Sequence, residues 1–329
     1  AMEGCFVKDN GIKLQKKETS FGAKLSDEMH RNWILYILAV PVIIYFVVFC
    51  YLPMFGLVIA FKNYVPAQGI LGSPWAAMNG FYHFYNFLTS DMFLTVLKNT
   101  LRINIYSIVF GFPIPIIFAL LINEIKSLRY KKAVQTITYL PHFISLVVIC
   151  GMITRFFRSD GILTSLITLF GGERMNYMLE PGYFRPILIG SNIWQSFGWD
   201  SIIYVAALSS IDQSLYEAAV IDGAGRWKQT IHITLPSISS TIIILLIMRI
   251  GNLLSVGYEK ILLLQTSQTA EAARVISSYV YEVGLGATIP VPNALSLSSA
   301  VGVFSSVVNI IMLFMANFVS KKFSETSLF

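Results

Sequence analysis

Residues 217–236 read EAAVIDGAGRWKQTIHITLP and lie between two strongly hydrophobic runs. Ser214, three residues before Glu217, fits a capping box, which predicts a short helix starting near Leu215. Gly223 suits the left-handed position at which helices commonly end. A second helical stretch follows from Ala224 towards Leu235. Pro236 suits the first turn of a new span, where its missing N–H costs little. Ala218, Ala219, Gly223 and Ala224 carry little bulk, so another backbone can approach, as small residues allow where membrane helices meet. Taken singly, Glu217 or Gly223 is better explained as part of a well-capped connector.

The surrounding composition sets the solvent. Of 329 residues, 55% are hydrophobic and 13% charged, whereas soluble domains carry about 25% charged residues. The chain therefore reads as a polytopic membrane protein. Its net charge of +6 does not suggest nucleic acid, because the basic residues fall between apolar spans rather than along one stripe. Cys5, Cys50 and Cys150 lack metal-ligand or redox spacing, and no metal is expected. The stretch up to Arg31 is polar and does not read as a cleaved signal peptide.

A membrane helix needs about 20 mostly apolar residues, and six stretches qualify: approximately 33–52, 96–121, 137–157, 187–209, 235–256 and 297–319. The second should kink at Pro113 and Pro115. The fourth carries Asn192, Gln195 and Asp200, so it must face protein or water rather than lipid. The expected architecture is an all-α membrane bundle, with a tail over 1–32 and a transmembrane domain over 33–329. Fourteen Lys and Arg fall in the tail, the loop after span two, the 210–234 loop and the C-terminus, against seven in the opposite loops. The positive-inside rule places both termini and the 210–234 loop in the cytoplasm. The outward stretch 53–96 is rich in aromatics from Phe81 to Phe87. They suit either an interfacial helix packed on the bundle or a docking surface for an external partner.

Combined, the features of 217–236 are specific. They resemble the EAA loop of binding-protein-dependent ABC importers: E-A-A, three residues, G, nine residues, then I-x-L-P. Glu217, Ala218, Ala219, Gly223, Ile233, Leu235 and Pro236 match all seven fixed positions. At usual residue frequencies a chance match at one start is on the order of one in 10⁸. The resemblance implies a type I, MetI/MalF-like permease of the carbohydrate branch. In that family the loop sits in a groove of a cytoplasmic ATPase, so Glu217, Ala218, Ala219, Asp222, Gly223 and Ala224 would form the contact segment. It also implies a second permease subunit, two ATPase subunits that bind ATP and Mg, an extracytoplasmic solute-binding protein, and residence in a bacterial inner membrane. No cofactor or catalytic residue is expected in this chain.

Gly69 to Trp75, GILGSPW, with the aromatic run after it, is similar to the LplB-type subgroup, associated with complex or polymeric saccharides. The larger permease of an alginate importer is one candidate. A sugar path needs hydrogen-bonding groups and flat aromatic faces, and Asn192, Trp194, Gln195, Trp199 and Asn252 supply both, although either tryptophan also suits a lipid-facing or core position. Arg249 falls inside span five, where an arginine lines a path, is paired or snorkels to the interface; Asp200 and Glu259 are its available partners. Arg155, Arg158, Arg174 and Arg185 could receive acidic sugars, but Asp160, Glu173 and Glu180 share their loop and local ion pairs explain them as well.

Two other classes fit less well. A membrane-embedded enzyme is disfavoured because His30, His83, His142 and His232 are far apart and no H-E-x-x-H or serine elbow is present. The chain also has no phosphate-binding loop, so ATP hydrolysis would fall to a partner. A stand-alone channel or secondary transporter would not require a two-helix loop with the full EAA pattern, and no matching half-repeat is visible.

Overall fold

The computed structural model describes residues 31–286, 291–323 and 328; the tail cations from Lys8 to Lys24 lie outside these. Among the described residues the regular structure is helical apart from one isolated bridge between Lys62 and Trp75. The chain divides into two units, 1–56 and 57–329. In the first, α1 (Trp33–Tyr45) runs on through a π-turn at Phe46–Tyr51. None of its side chains is buried within its unit, as expected of a helix that is apolar all round.

The second unit holds the remaining helices. These are α2 (Tyr82–Thr89), α3 (Asp91–Asn123), α4 (Leu128–Tyr139), α5 (Leu146–Phe156), α6 (Ile162–Leu169) and α7 (Pro181–Ser209). They are followed by α8 (Gln213–Ile221), α9 (Arg226–Ser237), α10 (Ser239–Gly251), α11 (Tyr258–Leu264), α12 (Ile276–Gly284) and α13 (Ala294–Phe323). Single helical turns are left unlabelled.

Three helical runs are long and apolar enough to cross a bilayer as they stand: Trp33–Phe61, α3, and Ala294–Lys322 within α13. The predicted third and fifth spans are each a bent pair. The third was expected to be continuous over 137–157. Instead Leu128–Phe143 meets α5 at 97°, because Ile144 and Ser145 are extended and Pro141 supplies no N–H just before them. In the fifth, α9 meets α10 at 59°. Pro236 does not open this span as expected: it lies one residue before the end of α9, the break falls at Ile238, and the apolar helix begins at Ser239. The fourth span, α7, is 29 residues long, about 43 Å at 1.5 Å per residue. It is ample to cross, although polar along one side. Pro113 causes less disruption than expected, since a π-turn at Ser107–Gly111 precedes it within one continuous α3.

Lys62, Lys260 and Arg274 were counted among the outward loops, and Lys62 and the segment carrying the other two prove to be packed. Lys62 is buried and donates to the Ile70 and Leu71 carbonyls at 2.8 and 3.0 Å, with its ammonium over the Trp75 ring. Ser73 Oγ donates to the Gly69 carbonyl at 2.6 Å, and Gly69 has φ +66°. The GILGSPW segment is thus a compact knot built around one lysine. After α10 the backbone leaves the helix and is caught by side chains. Asn309 Oδ1 accepts from the Leu254 N–H, Asn104 donates to the Leu253 carbonyl, and buried Thr100 accepts from the Ile276 N–H. Arg274 pairs with buried Glu282 at 2.7 Å.

The aromatic run is packed on the bundle along one side only. Phe87 is fully buried among Phe93, Tyr279 and Phe304, while Phe81, Tyr82 and Tyr85 are exposed. His83, also buried, approaches Asn63 Oδ1 at 3.1 Å, and burial holds its pKa below the ordinary histidine value.

At Gly198, Gly251 and Gly284 the helices approach too closely for a side chain. A Cβ at Gly198 of α7 would overlap the Thr138 carbonyl of α4, and one at Gly251 would meet the end of Leu313 at 2.6 Å. Backbone cannot yield as a leucine tip can. Gly198→Ala is therefore expected to cost about 1–3 kcal/mol, Gly251→Ala less, and Gly302→Ala, where nothing lies within 4 Å, almost nothing. Thermal unfolding of the detergent-solubilised protein should rank them in that order.

Candidate functional site

α7 carries the two candidate regions, one along its length and one beyond its C-terminus. Beyond that end, Asp212 caps α8: its Oδ1 accepts from the Ser214 N–H at 2.9 Å, which holds the carboxyl below the usual aspartate range. The expected Ser214–Glu217 box is not formed. The cap sits two residues earlier because Asp212, with extended φ/ψ, already takes the first free amide. Glu217 is left exposed, with no hydrogen-bond or ion-pair partner among the described residues.

Gly223 behaves as expected, with φ +73°. The Ala224 N–H donates to the Ala219 carbonyl at 2.8 Å, and the Gly223 N–H to the Val220 carbonyl at 3.1 Å, which together close a Schellman turn. α8 is then tied to α9: Gln229 donates to the Ala224 carbonyl, and Tyr216 and Thr234 share a hydrogen bond at 3.0 Å. Arg226 pairs with Glu124 at the end of α3, at 3.2 Å. The result is a braced two-helix element presenting Ala218, Val220, Ile221 (86% exposed), Asp222 and Trp227 (81% exposed) to its surroundings. A Cβ on Gly223 would meet nothing within 4 Å, so its surface is open.

Along α7, residues 192, 196 and 200 lie one turn apart on one face. Two cavities of about 380 and 390 Å³ adjoin this face, and both are lined by Asp200 and Arg249. Asn252 completes the first, and Asn192, Gln195 and His142 line the second. Arg249 Nη2 meets Asp200 Oδ2 at 3.1 Å; of its two available partners, Asp200 is the one used. The π-turn of α3 supplies Ser107 and Gly111 to the wall.

The predicted path residues do not all converge. Trp194 stands two residues, or about 200°, round the helix from Asn192. It lines a separate apolar cavity with Met152, Phe156 and Pro186. Trp199 lies close to the polar face, stacked on His142 at 4.5 Å and 2°. That stack exists because the bend after Phe143 carries His142 up to α7. Asn252 spends its amide on the Met248 carbonyl at the end of α10. Sequence reasoning missed Lys260, which is buried on α11 and donates to Gln195 Oε1 at 3.1 Å. The run Ile261–Leu264 directly after it is the signal that this segment is packed rather than solvated.

Of the four loop arginines, Arg158 pairs with Asp160 at 3.3 Å and Arg174 donates to the Ser159 carbonyl. Arg158 follows the local ion-pair alternative, and Arg174 does not. Arg185 instead reaches Asn99 on α3.

Removing one member of the Asp200–Arg249 pair leaves the other charge unpaired on the cavity wall. Arg249→Met should therefore lower the thermal stability of the solubilised protein, and adding Asp200→Asn should recover part of the loss. A double-mutant cycle is expected to give a coupling of about 1 kcal/mol or more; simple additivity would show that the two side chains do not act together.

Residues 111–325 match the family described as the binding-protein-dependent transport system inner membrane component. Protein LplB of Bacillus subtilis (strain 168) is 42% identical over 302 residues, covering 92% of each chain. The polygalacturonan/rhamnogalacturonan transport system permease protein YteP of the same organism is 43% identical over 296 residues, covering 90% of each. A chain in the crystal structure of a bacterial ABC transporter involved in the import of the acidic polysaccharide alginate superposes with a TM-score of 0.80 at 42% identity, over 91% of this chain and 99% of that one. With the braced EAA loop at the end of α7 and a polar face along it, the chain belongs to this inner membrane component family and is a membrane-spanning permease of a carbohydrate ABC importer.

Proposed function

We propose that this permease imports an acidic oligo- or polysaccharide, working with a second permease, two cytoplasmic ATPase subunits and an extracytoplasmic solute-binding protein. Both termini and the 212–237 element lie on the cytoplasmic side, as the excess of Lys and Arg there argues. The observation that carries the mechanical part is the braced, exposed turn at Gly223. A coupling element can shift a partner's equilibrium only if it fits one state better than the other. A capped helix tied through Tyr216–Thr234 to the last turn of α9 passes displacement on rather than absorbing it. The exposed apolar side chains Leu215, Val220, Ile221 and Trp227 give an ATPase groove something to bury.

The acidic character of the cargo rests on kinship. One relative, YteP, is named for polygalacturonan and rhamnogalacturonan, and the matched crystal structures concern alginate, one of them with an alginate pentasaccharide-bound periplasmic protein. Asn192, Gln195, Ser196 and Trp199, with the Asp200–Arg249 pair, are the proposed path. Hydrogen bonds to sugar hydroxyls and one aromatic face are available there, and Trp194 and Asn252 play a lesser part.

Gly223 tests the coupling. A valine in a left-handed turn costs roughly 1–2 kcal/mol, enough for about a tenfold shift between states. Asparagine tolerates the turn but fills the open surface above it. In the reconstituted complex, both Gly223→Val and Gly223→Asn should abolish stimulation of ATP hydrolysis by the loaded binding protein. Normal uptake and stimulation in both would contradict the coupling role.

A further inference from the structure

At the end of α7 remote from the 212–237 element, a cavity of about 320 Å³ is lined by Lys98 and Arg102 of α3, Arg185 of α7, and Gln268 and Glu271 of the segment before α12. Lys98 and Arg102 are four residues apart and so project from the same face of α3. Three cations thus meet one carboxylate, and among the described residues none of the three forms an ion pair.

The cluster is also built from behind. Asn99, only 4% exposed, donates its amide to the Glu271 and Arg274 carbonyls at 2.8 and 3.0 Å. That leaves its Oδ1 aimed at Arg185, whose Nη2 donates to it at 2.8 Å. The guanidinium is therefore held in one orientation. Its Nε is shielded from solvent and has no hydrogen-bond partner, an uncommon condition for a buried donor. A preset guanidinium beside two further cations that lack a carboxylate partner suits an incoming carboxylate.

We propose that this cavity receives a carboxylate of the acidic saccharide at the entry to the translocation path. The inference rests on the acidic-cargo reading and deepens it by assigning residues. Lys98 and Arg102 draw the anion in, and Arg185, set by Asn99, grips it. Without an anion the cations repel one another; with one, the repulsion becomes attraction, which favours uronic acid units over neutral sugars of the same size.

The test uses the assembled importer in vesicles with its binding protein and trigalacturonate as cargo. The double variant Lys98→Gln, Arg102→Gln should slow uptake about tenfold, the worth of one charge-assisted contact, while capture of the binding protein by the complex stays at the parental level. The charge-keeping pair Lys98→Arg, Arg102→Lys should restore most of the rate. Three results would overturn the site: uptake unchanged in the neutral variant, capture falling in step with uptake (an acidic protein surface as the true occupant), or a charge-keeping pair as slow as the neutral one. A parental complex that does not transport trigalacturonate would remove the acidic-cargo reading and the site with it. A parental complex that transports it, with variants equal to it, would remove the site alone.

Discussion

The constraint on which the bundle depends is that backbone leaving a helix inside the packed protein must find its hydrogen bonds there. Between α10 and α12 the chain does leave its helix, and asparagine and threonine side chains supply the missing hydrogen bonds. Asn104 and Asn309 hold residues 253 and 254 at one end of the segment. Asn99 and Thr100 hold residues 271, 274 and 276 at the other. Three of these four lie on α3, so one straight helix is the template against which the irregular segment is set. Lys260 and Asn99, which reach Gln195 and Arg185 of α7 respectively, are placed by that template.

α7 then links the features that matter. Its C-terminal end leads into the capped element with Gly223, its middle bears the polar face and the Asp200–Arg249 pair, and its first turns carry Arg185. Gly198 presses it against the Thr138 backbone, and the bend after Phe143 stacks His142 on Trp199. A proposed displacement of the 212–237 element by an ATPase would reach α7 and α10 together, since the loop connects them. Those are the two helices that contribute Asp200 and Arg249. The ion pair sits where a relative motion of the two would be felt.

Much of this was legible in residue order, for physical reasons that differ from case to case. Gly223 could be placed because a left-handed turn has few substitutes, and the all-α membrane class followed from composition alone. Arg249 was narrowed to two partners because a charge at that depth needs one. Other features depend on choices among near-equal local options. Asp212 and Ser214 are both good caps, and backbone geometry decided for Asp212. The 97° bend at Ile144–Ser145 lies in an apolar run whose hydropathy is blind to direction. Lys260 carries a charge that reads as loop, and only the long-range partner Gln195 makes its burial tolerable. Trp194 was grouped with Asn192 by proximity in sequence, whereas helical phase sends it to an apolar cavity.

The central claim is an ATP-driven permease whose cargo is acidic. It is tested most directly by the ATP hydrolysis of the assembled complex with its binding protein, titrated with oligogalacturonate and, in parallel, with neutral oligosaccharides of equal length. The account predicts stimulation by the acidic series and little by the neutral one. Stimulation by neutral sugars alone would contradict the acidic cargo, and no response to any saccharide would contradict the carbohydrate role itself.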